Sequence, residues 1–341
     1  MRGIGGLAGV TRWFGHDAQI AQLIAASAAV RMHHGWILAG PKGVGKAGIA
    51  FDFAKRLLVA GAGGPVPAAT LAPGDEDTQV RLLNGGAHPD FVRLERLERD
   101  DRKGDGSTLA RNITVDQVRG LARLLHSAPS MGSRRVVLID SADDLEAGAA
   151  NALLKNLEEP PAGAMFLLVA HRPGRLLPTI RSRCRMLRFH ALDDDVMQAA
   201  LAQAMPDLPA AERARLVASG EGSPGQALAM RALDLPALEE SLGVIAGGGR
   251  AADAERAKLM SALSGVAARP RLEAFVELVP RFIARRIRAA QGPALGRGLD
   301  AFEEAQRLGA GAVTPLQLEP GALVFTLCDT VAGLGEAGAA R

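Results

Sequence analysis

Tyrosine is missing altogether, and 10 phenylalanines and 2 tryptophans bring the aromatics to only 4% of the 341 residues. Proteins that grip single strands stack bases on aromatic side chains, so this scarcity argues against a free-standing nucleic-acid-binding module. Charge of one sign is equally scarce. Lys and Arg exceed Asp and Glu by 3, too little for a surface that coats DNA. The only cysteines, Cys184 and Cys328, lie far apart with no C-x-x-C spacing, which fits inert thiols in a reducing compartment. No run approaches the roughly 20 apolar residues of a membrane helix. The opening "MRGIGGLAGVTRWFG" lacks a signal core, so a cytoplasmic location with no membrane contact is expected.

Hydrophobic residues, 48% of the chain, suffice for two or three cores at this length. The first half alternates apolar strand-like runs with helical periodicity: "WILA" (36–39), "FVRLERL" (91–97), "RRVVLID" (134–140) and "MFLLVA" (165–170) are separated by amphipathic stretches. Thr114 and Gln117 spell a capping box, with Ile113 and Val118 as the staple. "AANALLKNLEEPP" predicts a helix that Pro160 stops. After Phe189 the alternation ends and helices follow, with breaks expected at 246–250, 265–270 and 291–298. The expected boundaries are an α/β parallel-sheet domain over 1–190, a small helical lid over 191–234 and an all-α domain over 235–341.

"GPKGVGKA" (40–47) is nearly a phosphate-binding loop. Gly40, Gly43, Gly45 and Lys46 meet the need for close backbone approach and an ammonium at the phosphates, but Ala47 stands where a hydroxyl would hold magnesium. Asp140, closing "VVLID", sits where a Walker B acid orders the magnesium shell. "TIRSRC" (179–184) follows the next strand. This is the order an AAA+ ATPase requires, with a degenerate nucleotide site whose hold on ATP and magnesium would be weak.

"NALLKNLEEPP" followed by "LLPTIRSRC" resembles the bacterial clamp-loader subunits of DNA polymerase III, and "HPDF" (88–91) and "ITVDQVRGL" (113–121) extend the likeness over most of residues 15 to 190. The resemblance implies a P-loop AAA+ domain, a lid and a helical collar that joins subunits. It also implies that Arg183, in the S-R-C signature, acts in trans as an arginine finger on a neighbour's ATP. Ser141 stands where ATPase members carry a water-orienting glutamate, and Gly225 where they carry a sensor arginine. With Ala47, these departures resemble the delta prime branch, which implies a stator in a hetero-pentamer. Its partners would be gamma/tau and delta subunits, with the sliding clamp and primed DNA reached through the complex. The alternative is an active gamma/tau-type ATPase. Residues 59 to 87 hold no cysteine, so the four-ligand zinc module common in this family is not expected.

Other residues have ordinary readings beside the functional ones. Arg183 could pair with a carboxylate of its own chain, as surface arginines commonly do. Cys184 reads as a small buried hydrophobe. His33 and His34 are expected to close the first helix, favoured there by the dipole, and His88 to shape a turn. Asp193–Asp195 read as a helix start. Arg281, Arg285 and Arg288 share one helical face that reads as solvated.

Overall fold

The computed structural model describes residues 12–29, 31–97, 112–125, 127–248, 252–265, 268–288, 290–313 and 319–335. Residues 98–111, a strongly charged stretch of the sequence, therefore lie outside the described residues. The chain divides into two compact units, one up to Leu228 and the other from Ala229 on.

The first unit begins with α1 (Asp17–Ala28), β1 (Gly35–Ala39), α2 (Lys46–Gly61), α3 (Thr78–Asn84) and β2 (Phe91–Leu94). It continues with α4 (Val115–Leu125), β3 (Arg135–Asp140), α5 (Ala147–Glu158), β4 (Ala164–Ala170), α6 (Pro178–Ser182) and β5 (Arg185–Arg188). The strands form one parallel sheet in the order β2-β3-β4-β1-β5. A parallel sheet is covered on both faces, so its strands are apolar throughout. Alternate residues serve opposite layers: Val137, Ile139, Phe166 and Leu168 pack under α4 and α5, while Val136, Leu138, Leu167 and Val169 pack with Phe53 and Leu57 of α2. This is the expected three-layer α/β arrangement, with the glycine loop leaving the C-terminal end of β1 inside the sheet.

Sequence periodicity missed β5. Its "RMLR" buries only Leu187, because an edge strand flanked by arginines carries no apolar run. What identifies it is its register against β1, Trp36 to Arg185 through Ala39 to Arg188. β2 also stops at Leu94, short of the expected Leu97. The histidine expectation is corrected as well. α1 ends at Ala28, and His33 and His34 lie beyond it, in the approach to β1. His33 Nδ1 lies 2.9 Å from Gly35 O and 3.2 Å from Gly35 N. His34 Nε2 donates to Leu157 O at 3.0 Å, and burial lowers its pKa, with His33 adding to the effect. Both are structural groups outside α1, and no helix dipole is involved.

The capping box at α4 is formed. Gln117 Oε1 accepts from Thr114 N at 3.0 Å, and Thr114 Oγ1 accepts from Gln117 N at 3.4 Å. Ile113 and Val118 are both buried. Thr114→Ala should lower stability by about 0.5–1 kcal/mol, because one orphan N–H loses its acceptor; urea unfolding compared with the wild type measures it.

Residues Leu192 to Leu228, within the stretch expected as a lid, gather a small core of their own. Here α7 (Asp194–Ala204), α8 (Ala210–Gly220) and the start of α9 (Pro224–Ala232) gather Met197, Leu201, Leu216, Val217 and Ala227. The second unit holds α10 (Leu235–Gly248), α11 (Asp253–Ala262), α12 (Arg269–Ile287), α13 (Pro293–Val313) and α14 (Pro320–Ala332). Its core includes Leu242, Phe275, Val279, Leu327 and Cys328. The break expected at 291–298 is shorter than that, because Pro293 opens α13, where a missing N–H costs nothing. Likewise α12 begins at Arg269 with Pro270 in its first turn. Arg281 and Arg285 are exposed on α12 and Arg288 is exposed just past its end, and Arg285 pairs with Glu239. No helix among the described residues is long and apolar enough to cross a membrane.

Candidate functional site

In an open parallel sheet, ligands gather at the strand C-termini. There the chain places the glycine loop after β1, Asp140 at the end of β3 and His171 after β4. Gly43 (φ +84°) and Gly45 (φ +104°) take left-handed conformations that L side chains rarely adopt, and Gly45 caps α2. At Gly40 any Cβ would lie 2.2 Å from Phe189 O.

Lys46 is buried at 2% exposure. Its Nζ donates to Gly40 O at 2.7 Å and also to Pro41 O. Burial pushes its pKa down to about 8, against the pull of Asp143 and Asp140. The ammonium is therefore bonded to the loop it rises from. Asp140 accepts from Arg93 Nη2 of β2 at 2.7 Å, so its carboxylate is paired inside the sheet edge. Ser141 is buried, and its Oγ has no hydrogen-bond partner among the described residues.

Sequence reasoning did not single out several residues of this cluster. Asp143 accepts from the backbone N–H of His171 and, at 2.7 Å, of Arg172, tying the turn after β3 to the end of β4. His171 is held below its usual pKa by burial and by Lys46, so its ring is neutral. His16, also buried, donates Nε2 to Val44 O at 2.9 Å. Trp13 donates its indole N–H to Asp52 Oδ2 at 2.8 Å and lays its ring on Gly45 and Gly48. For Asp143 and His171 the available signal was position, since each follows directly on a central strand. Nothing in the local sequence pairs Trp13 with Gly48.

A Cβ at Gly48 would stand 2.1 Å from the indole. Gly48→Ala should therefore destabilise the protein by about 1–3 kcal/mol through overpacking, although helix propensity alone would favour alanine by about 1 kcal/mol. Tryptophan emission in a Trp36→Phe background should shift to the red as Trp13 is displaced.

Magnesium nucleotide does not fit these residues. Ala47 offers no hydroxyl, Asp140 is engaged by Arg93, and Lys46 is engaged by Gly40 and Pro41. Among the described residues there is no group of three or more His, Cys, Asp or Glu able to hold a metal ion.

Arg183 lies elsewhere, just past α6. Its Nη2 is 2.8 Å from Glu158 Oε1, and its Nη1 donates to Thr179 O at 3.1 Å. The own-chain carboxylate partner is thus present, in a pair whose side chains are 34% and 49% exposed. Cys184 beside it packs against the core, with burial raising its thiol pKa to about 12.

Against known families, residues 15–193 match the one described as DNA polymerase III, delta subunit. The chain belongs to that family. It is 39% identical over 191 residues to the DNA polymerase III subunit delta' of Pseudomonas aeruginosa, a match covering 56% of this chain and 53% of that protein. The Escherichia coli delta' subunit is 33% identical over 211 residues, covering 61% of this chain and 58% of that protein. The chain therefore spans between half and two thirds of the length of these curated relatives. A tau/gamma subunit of Haemophilus influenzae is 33% identical over 164 residues, 48% of this chain and 21% of that protein. Among solved structures, a gamma subunit-related protein of Thermotoga maritima aligns over 93% of this chain and 99% of its own, with a TM-score of 0.45 and 18% identity.

Proposed function

We propose that this chain is the delta prime, or stator, subunit of a DNA polymerase III clamp loader, which opens the sliding clamp and places it on primed DNA. It joins gamma/tau and delta subunits in a hetero-pentamer and presents Arg183 in trans to a neighbour's ATP. It is not itself a motor, and nucleotide polymerisation belongs to another chain of the holoenzyme. The helical domain from residue 235 serves as the collar that holds the ring.

The observation that carries this reading is the contrast between the two charged groups the sequence singles out. Lys46 is buried and bonded to its own loop, whereas the Arg183 guanidinium is a third exposed and held by an exposed carboxylate. Phosphoryl transfer depends on positioned charge. A chain that withholds its lysine and exposes its arginine suits an activator rather than an ATPase. Reconstituting the loader with Arg183→Ala or Lys46→Ala in this chain, and measuring DNA- and clamp-stimulated ATP hydrolysis, tests it. Loss with the arginine variant alone supports the stator. Loss with the lysine variant alone would mean this chain is a working ATPase.

A further inference from the structure

The glycine loop already has an occupant, and it is part of the same chain. Gly225 donates its backbone N–H to Gly43 O at 2.9 Å. Ser223, 3% exposed, donates its hydroxyl to Lys42 O at 2.8 Å and accepts from Gln226 N at 3.2 Å. One side chain thus caps α9 and ties it to the loop. The approach is backbone on backbone. A Cβ on Gly43 would stand 2.3 Å from Ser223 Oγ and 2.8 Å from Gln226 N, and one on Gly225 would stand 2.9 Å from both Cα and O of Gly43. Trp13 and Val44 meet Leu192, Pro224 and Leu228 of the lid around one apolar cleft beside these bonds.

We propose that in this chain the phosphate-loop motif serves as the seat of the lid, latching α9 to the sheet domain without nucleotide. In a P-loop ATPase a bound nucleotide ties lid to sheet. Here Gly225, Ser223 and Gly43 make that connection directly. The glycine at 225 is a positive requirement of the latch, since any side chain there meets the Gly43 backbone. The latch is a property of the chain alone and stands whether or not the clamp-loader reading does.

Gly225→Ala separates this from the ordinary behaviour of a helix. Gly225 lies in the first turn of α9 with no positive φ, so helix propensity predicts that alanine firms the lid. The latch predicts the opposite. Hydrogen–deuterium exchange on the full chain reads it: in the wild type the amides of residues 223–227 should be protected with no nucleotide present, and Mg-ATP should leave them unchanged. Gly225→Ala should speed their exchange about tenfold or more, with the amides of β3 and β4 unaffected. Ser223→Ala should act in the same direction and decides the matter if Gly225→Ala also loosens the sheet. Slower or unchanged lid exchange in Gly225→Ala with an intact sheet would overturn the latch. So would no change in Ser223→Ala, or wild-type lid amides that gain protection only on adding Mg-ATP.

Discussion

On the proposed stator role, a loader assembled with Arg183→Ala in this chain should hydrolyse ATP about 10³–10⁵-fold more slowly at the site this subunit would face, the range a finger supplied in trans contributes in well-studied NTPases. The fall in whole-complex turnover will be smaller, because other ATP sites have other neighbours. Pairing with Glu158 does not stand in the way. An exposed ion pair is worth about 0.2–1 kcal/mol, so the guanidinium can leave Glu158 for a γ-phosphate at little cost. For the same reason Arg183→Ala should hardly alter thermal stability, which separates loss of the finger from loss of fold. Arg183→Lys keeps the charge but not the planar fork, and should recover only part of the rate. Undiminished stimulated hydrolysis with Arg183→Ala would leave Arg183 as a surface ion-pair residue and remove the finger from the proposal.

The second large effect is structural. Asp90→Ala should destabilise the first unit by about 3–5 kcal/mol, the usual consequence of removing one member of a buried ion pair. Asp90 is fully buried and accepts from Ser130 N at 2.8 Å, Met131 N at 2.8 Å and Arg135 Nη2 at 3.1 Å. Arg135, 3% exposed, also donates to Ser127 O and Ala128 O. His88, buried beside it, accepts from Asp90 N and donates to Gln79 Oε1. The "HPDF" stretch therefore fastens the approach to β3 onto the start of β2. Pairing Asp90→Ala with Arg135→Met should recover part of the loss, since no unpaired charge then remains buried.

Acid should weaken the same joint. Burial alone would raise the Asp90 pKa, but the bonds from Ser130, Met131 and Arg135 outweigh it and hold it below the usual carboxylate value. A depressed folded-state pKa means stability that is present above the unfolded value, about 3.9, and lost as pH falls through the folded value. The stability gap between wild type and Asp90→Asn should accordingly narrow below about pH 4. A gap constant down to the acid transition would mean that folding does not lower the Asp90 pKa.

Much of the first unit was legible because its signals are local. "VVLID" and "MFLLVA" are apolar without interruption because both faces of a central parallel strand are covered, and Thr114 and Gln117 satisfy a helix end within four residues of chain. β5 was hidden because a strand at the sheet edge is recognised by its neighbour rather than by its own composition. His33 and His34 were misplaced for a related reason. Periodicity shows that a helix is there but marks its end poorly, and each ring takes its partner from β1 or from α5.

By itself, then, the sequence determined the layered α/β architecture, the glycine loop after β1, the absence of the loop hydroxyl and the family likeness, all carried by residue type at fixed spacing. Only the tertiary structure decided what the loop touches. That Asp140 faces Arg93 and that the Ser223–Gly225 turn lies on Lys42 and Gly43 depend on segments 47 and 181 residues apart meeting at close range. Chain spacing carries no record of such contacts. The same "GPKGVGKA" is compatible with cradling a phosphate or with supporting a helix start, and in the latch proposed above the small residue at 225 is what admits the second.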